Sequence, residues 1–134
     1  MTFQVDTTER VEVRDVTSQV EETLPENADG TATVFVPHTT AGVTVNEAER
    51  GLLADLVPEE GGYAHDRIDD NSVERRSTSS AASPGNADSH LRAMLVGTSA
   101  TVPVTDGELD LGTGQSVLFV ECDGPRTRRV RVVL

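Results

Sequence analysis

Valine is the residue that most constrains the fold of this chain, because it outnumbers leucine by nineteen to ten in 134 residues. β-branched side chains pack well on a pleated sheet and lose rotamer freedom in a helix. Aromatic residues make up only 3% of the sequence, so the core has to be built mainly from valine at sheet positions. The sequence therefore predicts an α+β fold, mainly antiparallel β-sheet with two or three short helices, in a single domain over residues 1–134.

Apolar and polar residues alternate with a period of two in several segments, which is typical of half-buried strands. These segments predict an opening hairpin around residues 6–8, a strand at 31–36, extended chain at 42–45 after a break at Pro37, and a final antiparallel meander with turns at 106–107 and 123–125.

Three helices are predicted, each from a capping residue followed by apolar residues at helical spacing. They are a helix from Asp15 that buries Val16, Val20 and Leu24, a helix capped by Asn46 with Glu49, and a helix capped by Asp88 or Ser89 that buries Leu91, Met94 and Leu95 and ends at Gly97. The polar stretch at 72–85 is expected to be a mobile loop insertion.

The charge balance is strongly acidic, with 23 Asp and Glu against 11 basic residues, all of which are arginine. An acidic surface keeps a protein dispersed at high salt, so the composition predicts a halophilic protein. A net charge of −12 excludes duplex nucleic acid as a ligand, since such binding needs cationic patches. An acidic partner-binding or disordered chain is the alternative, and the apolar periodicity argues against the disordered version.

The sequence contains no apolar run of the roughly 20 residues that cross a bilayer, and its first residues resemble no secretory signal. A cytoplasmic location without membrane attachment is therefore expected. The single cysteine, Cys122, has no intramolecular disulfide partner, and its Val-rich surroundings predict ordinary core packing.

Each of the three histidines lies where an imidazole could serve as a ligand or move a proton. His38 follows the break at Pro37, His65 lies in a Gly-flanked loop, and His90 falls in the first turn of a predicted helix, which favours a neutral ring. Three neutral imidazoles could hold a divalent metal, zinc or magnesium, with one open position. Because no two of them form a short metal-binding motif, each is equally compatible with a surface or structural role.

Four arginines fall within residues 126–131. Strand alternation predicts Arg126 and Arg128 on one face and Arg129 and Arg131 on the other. A guanidinium can hold a phosphate through two parallel hydrogen bonds, whereas pairing with surface carboxylates is the alternative.

Four motifs, taken in order, resemble the YjbQ-like family. They are HTTAGVTVNE at 38–47, YAHD at 63–66, SHL at 89–91 with GTS at 97–99, and PVTDGELDLGTGQ at 103–115. The resemblance implies a compact α+β fold, a homotrimer, and a secondary thiamine-phosphate synthase activity, a transferase reaction that joins a pyrimidine diphosphate to a thiazole phosphate. Gly114, where the family usually has tryptophan, is a departure.

On matching positions the resemblance also implies a His-rich phosphate or metal pocket. Its expected catalytic residues are His38, Glu47, His65 and His90, and its expected metal ligands are His38, His65 and His90. The expected substrate-binding residues are Thr39, Thr40, Asn46, Ser89, Gln115 and Arg128. The alternative function is a non-catalytic trimeric protein that binds a metal or a small anion, and a purely structural module is the third.

Overall fold

The computed structural model describes residues 1–48 and 86–134, which form two antiparallel sheets and two helices. The elements in chain order are β1 (Thr2–Asp6), β2 (Glu12–Asp15), α1 (Thr17–Thr23), β3 (Gly30–Phe35), β4 (Ala41–Glu47), α2 (Ala87–Val96), β5 (Ser99–Thr105), β6 (Glu108–Leu109), β7 (Gln115–Glu121) and β8 (Thr127–Val133). The five-stranded sheet has the order β1-β8-β3-β5-β6, and the three-stranded sheet has the order β2-β7-β4. The predicted fold class is confirmed.

The main core lies between the two sheets and is closed by α1. Valines dominate it, as the composition predicts, and Phe119 is its one fully buried aromatic side chain among the described residues. The outer face of the three-stranded sheet is covered by α2, where Ala93 packs against Val120 and Cys122. Strand β7 is therefore buried on both faces.

The first helix is confirmed. Val16, Val20 and Leu24 are all buried, and Asp15 Oδ1 accepts a hydrogen bond from the Thr17 N–H at 3.0 Å, at the helix start. The turn at Asp106 and Gly107 is confirmed as well, because both residues have the positive φ that a tight hairpin turn requires.

The predicted opening hairpin is wrong, because β1 pairs with β8 and β2 pairs with β7. The chain crosses from one sheet to the other between β1 and β2, and it crosses back between β7 and β8. The two crossings lie side by side: the Thr7 N–H donates to the Arg126 carbonyl at 2.9 Å, and the Gly124 N–H donates to the Arg10 carbonyl at 2.9 Å. For the same reason the end of the chain is no simple meander.

The helix cap predicted at Asn46 is also wrong. Asn46 and Glu47 are the last residues of β4, where they pair with Ser116 and Gln115. A seven-residue ladder to β7 satisfies their backbone groups, which a local capping box could not match. The rest of that predicted helix and the expected loop insertion at 72–85 lie outside the described residues.

Helix α2 ends as predicted, but Asn86 and not Asp88 or Ser89 occupies its cap position, and it buries a different face. Gly97 takes a φ of 94° and its N–H donates to the Ala93 carbonyl at 2.8 Å. Met94 and Leu95 are 75% and 76% exposed, whereas Asp88 and Arg92 are buried and joined by an ion pair of 2.6 Å. A charge can be buried when it is paired, so the polar face of α2 is able to pack inward. The apolar stripe therefore did not predict which face of the helix is buried.

Close backbone contact seats α2 against β4. The Val43 N–H donates to the Gly97 carbonyl at 2.9 Å, and a Cβ on Gly42 would lie 2.4 Å from that carbonyl oxygen. Only glycine at position 42 permits this approach. Within the described residues, no helix is long and apolar enough to span a membrane.

Candidate functional site

A cavity of about 550 Å³, referred to below as the pocket, opens where β3 ends, β8 begins and α2 starts. Its lining includes loop residues and side chains with imidazole, hydroxyl, amide, carboxylate and guanidinium groups. The residues are Phe35, Val36, Pro37, His38, Thr39, Thr40, Asn86, His90, Thr98, Asp123, Arg126 and Arg128.

His38 is placed by the end of a strand ladder. Strand β3 pairs with β8 only as far as Phe35 and Arg131, and Pro37 cannot donate a backbone hydrogen bond to continue the ladder. The His38 side chain takes over, because its Nε2 accepts a hydrogen bond from the Arg129 N–H at 3.0 Å. In the neutral ring the proton therefore lies on Nδ1, which remains available as a donor.

The same surroundings lower the pKa of His38. Burial is the largest cause, and the positive charge of Arg128 adds to it, while the carboxylate of Glu121 opposes the shift. His38 is accordingly a neutral hydrogen-bond donor at pH 7 and does not supply a charge.

His90 is partly buried in the first turn of α2 and is connected to Arg126 through two polar side chains. Asn86 Nδ2 lies 3.4 Å from His90 Nε2 and 3.3 Å from Asp123 Oδ2. Because the carboxylate can only accept, the amide nitrogen is the donor in both contacts, and His90 Nε2 is an acceptor. Asp123 Oδ2 also accepts from Arg126 Nη2 at 3.3 Å.

Arg128 forms the floor of the pocket through a buried ion pair with Glu121, which is fully buried. Its Nε donates to both carboxylate oxygens at 2.9 and 3.1 Å, and its Nη2 donates to Glu121 Oε2 at 2.5 Å and to Thr40 Oγ1 at 2.9 Å. Nη1 has no hydrogen-bond partner among the residues that the structure describes. The guanidinium is therefore held rigidly with one edge left for a ligand.

The pocket is lined by two guanidinium groups in an acidic chain, and each of them is paired with one carboxylate. Arg126 and Arg128 face a single lining carboxylate, that of Asp123, while the Glu121 carboxylate lies buried behind Arg128. Thr40 Oγ1 accepts from Arg128 and keeps its own proton for donation. The free donors thus converge on one opening, which suits an oxyanion.

The described part of the site does not fit the expected metal. His38 Nε2 and His90 Nε2 are each occupied as acceptors of N–H groups, and metal binding requires such a lone pair. Across residues 1–48 and 86–134 there is no group of three His, Cys, Asp or Glu side chains placed to hold an ion. His65, the third expected ligand, lies outside the described residues.

Of the predicted site residues, the structure brings five together at the pocket: His38, Thr39, Thr40, His90 and Arg128. Ser89 is fully buried beside them but does not line the cavity, and its hydroxyl accepts from Arg10 Nη2 at 3.3 Å instead.

Asn46, Glu47 and Gln115 lie elsewhere within the chain. Glu47 and Gln115 are paired at the far end of the β4–β7 ladder, about 20 Å along the strand from Ala41 at the pocket end. There Gln115 Oε1 accepts from the Gly112 N–H at 2.8 Å and closes a turn. The structure does not bring these three residues to the pocket of the same chain.

Four residues that build the pocket were not predicted as site residues from the sequence: Asn86, Glu121, Asp123 and Arg126. Glu121 did carry a signal, since it is a carboxylate inside the apolar run from Val117 to Cys122, and a buried charge needs a partner. Asn86 resembled an ordinary loop residue, and Asp123 resembled an ordinary turn residue.

Cys122 has the predicted structural role. It is fully buried against Ala93 and Val120, and burial raises the pKa of its thiol to about 11. A thiol of this kind is inert at neutral pH.

Comparison with known proteins places this architecture in one group. The family model described as UPF0047 protein YjbQ-like matches residues 1–134. The UPF0047 protein of Archaeoglobus fulgidus is 47% identical over 139 residues, which cover 98% of each chain. UPF0047 protein YugU of Bacillus subtilis is 38% identical over 131 residues, which cover 95% of this chain and 92% of that protein.

Solved structures agree. The crystal structure of a hypothetical protein from Aeropyrum pernix has a TM-score of 0.76 and 39% identity, covering 99% of this chain and 95% of its own. An uncharacterised conserved protein from Clostridium acetobutylicum also has a TM-score of 0.76, with 36% identity, covering 99% of this chain and 98% of its own.

These relatives correct one expectation drawn from the resemblance. The predicted secondary thiamine-phosphate synthase activity is wrong, because the matching proteins are described only as UPF0047 or hypothetical proteins and none of these descriptions gives such an activity. The family itself is confirmed over the whole length, and the chain belongs to the UPF0047 YjbQ-like family.

Proposed function

We propose that the pocket binds a small phosphorylated molecule. The observation that carries this proposal is the convergence of three donor atoms without a described partner on one cavity, Nη1 of Arg126, Nη1 of Arg128 and Nδ1 of His38, in a chain whose net charge is −12. Phosphate oxygens are acceptors only, so they match such a set of donors.

Preorganisation supports the proposal. Arg128 is fixed by Glu121 and Thr40 before any ligand arrives, and His38 is fixed by the Arg129 N–H. Binding therefore requires little ordering of side chains, which is the usual cost of holding an ion with flexible arginines.

Size and charge limit the ligand. A cavity of about 550 Å³ lies within the range typical of small-molecule sites. A long polyanion such as nucleic acid would extend beyond the pocket and be repelled by a chain whose net charge is −12, whereas a single phosphate group would contact only the donors of the pocket.

Isothermal titration calorimetry with propyl phosphate tests the proposal. Arg126→Gln removes an exposed charge at the pocket without leaving a buried carboxylate, and the affinity should fall about tenfold, the loss of one charge-assisted hydrogen bond. Arg14→Gln is the matched control: Arg14 pairs with Glu12 on β2, is similarly exposed (43% against 49% for Arg126), and lines no part of the pocket.

The control variant should bind propyl phosphate as the unmodified protein does. Equal affinity in all three proteins, or no binding in any, would contradict the proposal.

Two further expectations stay predictions. Assembly as a homotrimer would be tested by light scattering of the purified protein in high salt, with a mass of three chains of 14.3 kDa as the expected result. A cytoplasmic location would be tested by fractionation of the source cells.

A further inference from the structure

We infer that His38 separates two anion subsites, and that the second, formed by Gln4, Thr127 and Arg129, binds a second anionic group of the same ligand. The ligand class is then a small molecule with two phosphate or carboxylate groups. This inference rests on the proposed function and narrows it.

A second cavity of about 380 Å³, here called the side cavity, lies on β1 and the start of β8. It is lined by Gln4, Pro37, His38, Thr127, Arg128 and Arg129. Pro37, His38 and Arg128 line both cavities, so the imidazole is a shared wall. Because its Nε2 is tied to the Arg129 N–H, this wall has a fixed position.

The side cavity offers donors that no residue in the described part of the chain uses. Arg10, Arg14, Arg92, Arg126 and Arg128 each form an ion pair with a carboxylate. The Arg129 guanidinium forms no ion pair or hydrogen bond with any residue in 1–48 or 86–134, despite the excess of acidic groups.

Gln4 stands directly opposite Arg129 in the β1–β8 pairing, so the two side chains are neighbours on one face of the sheet. The Gln4 amide also has no hydrogen bond to a described residue. A guanidinium beside an uncommitted amide, both on rigid strands, is a donor pair for a carboxylate or phosphate.

Arg131 is the matched control for Arg129. It lies two residues further along β8 on the same exposed face, and it too has no ion pair among the described residues, but it lines neither cavity. An effect of general positive charge would therefore be the same for Arg129 and Arg131, whereas a subsite would depend on Arg129 alone.

The experiment compares two compounds of matched chemistry, propyl phosphate and propane-1,3-diyl bisphosphate, by calorimetry at fixed salt. The unmodified protein should bind the bisphosphate about tenfold more tightly, the contribution of one further charge-assisted contact. Arg129→Gln should abolish most of this preference and leave the affinity for propyl phosphate within about twofold. The substitution keeps the backbone N–H that holds His38.

Arg131→Gln should keep the preference for the bisphosphate. The inference is overturned if the unmodified protein shows no preference, if Arg129→Gln retains it, or if Arg131→Gln loses it to the same extent. Failure of the proposed function looks different, because propyl phosphate then does not bind, or binds without regard to Arg126, and both proposals fall together.

Discussion

The buried pair of Glu121 and Arg128 makes the sharpest energetic prediction. The Glu121 oxygens accept hydrogen bonds from Arg128 Nε and Nη2, from Thr7 Oγ1 at 2.8 Å and from the Asp123 N–H at 3.1 Å. Glu121→Gln keeps the shape but removes the charge and turns one oxygen into a donor.

The expected cost follows from burial. Breaking a buried ion pair by altering one partner costs about 3–5 kcal/mol in unfolding free energy. The glutamine oxygen still accepts from Arg128, so we expect about 3 kcal/mol. Arg128→Met leaves the Glu121 carboxylate buried and unpaired, and it should cost a similar amount.

Removing both charges together should cost far less than removing one. In the double variant Glu121→Met with Arg128→Met, the Thr40 carbonyl still accepts from the Cys122 N–H at 3.0 Å, and Thr7 Oγ1 still accepts from the Arg126 N–H at 2.9 Å. The Thr7 hydroxyl can still donate to the Arg126 carbonyl at 3.0 Å, while the Asp123 N–H, at a partly exposed position, and Thr40 Oγ1, at the pocket wall, lose their partners. Apolar replacement of a buried pair is often neutral, so the double variant should lie within about 1 kcal/mol of the unmodified protein.

Urea unfolding followed by circular dichroism gives the unfolding free energies of the unmodified protein, of the two single variants and of the double variant, and calorimetry with propyl phosphate is run on the same proteins. The double variant should be stable but should not bind propyl phosphate, because the role of the ion pair is to hold Arg128 at the pocket and not to stabilise the fold. The reasoning is refuted if Glu121→Gln costs less than about 1 kcal/mol, or if the double variant is as unstable as either single one.

Two further predictions concern pH and packing. The folded-state pKa of His38 lies below its ordinary value near 6.5, so the associated stability is complete above about pH 6.5 and is lost as pH falls through the folded pKa. In His38→Gln, which keeps an acceptor for the Arg129 N–H, the unfolding midpoint should therefore fall less between about pH 7 and pH 5. An equal fall in both proteins would contradict this. Gly42→Ala would place a Cβ 2.4 Å from the Gly97 carbonyl oxygen and 2.9 Å from Val96 Cγ1. It should therefore lower the unfolding free energy, measured by urea unfolding, by about 2 kcal/mol. An unchanged unfolding free energy would show that α2 does not pack against β4 as described.

Local patterns in the sequence predicted elements better than pairings. Alternation identified β3 and assigned Arg128 to the opposite face of β8 from Arg129 and Arg131, as the structure shows. The pairing of β1 with β8 was out of reach, because a period-two pattern carries no information on a partner more than 120 residues away. The neighbouring strand β2 was therefore wrongly predicted to pair with β1.

The site shows the same division. His38, His90 and Arg128 were predicted and do meet at the pocket, since a strand break, a helix start and strand alternation are local signals. Glu47 was expected there from the family resemblance, next to a helix start predicted at Asn46, and β4 instead extends through Glu47 and places it away from the pocket. Glu121 was overlooked because an acid in an apolar run is evident only once its partner is known.

The most direct test of the central claim is a crystal structure of the protein soaked with phosphate. We expect the anion in the pocket within hydrogen-bond distance of Nη1 of Arg126, of Nη1 of Arg128 and of Nδ1 of His38, the donor atoms that no described residue uses. A pocket without phosphate, or an anion bound only at other residues, would contradict the assignment of this cavity as an anion site.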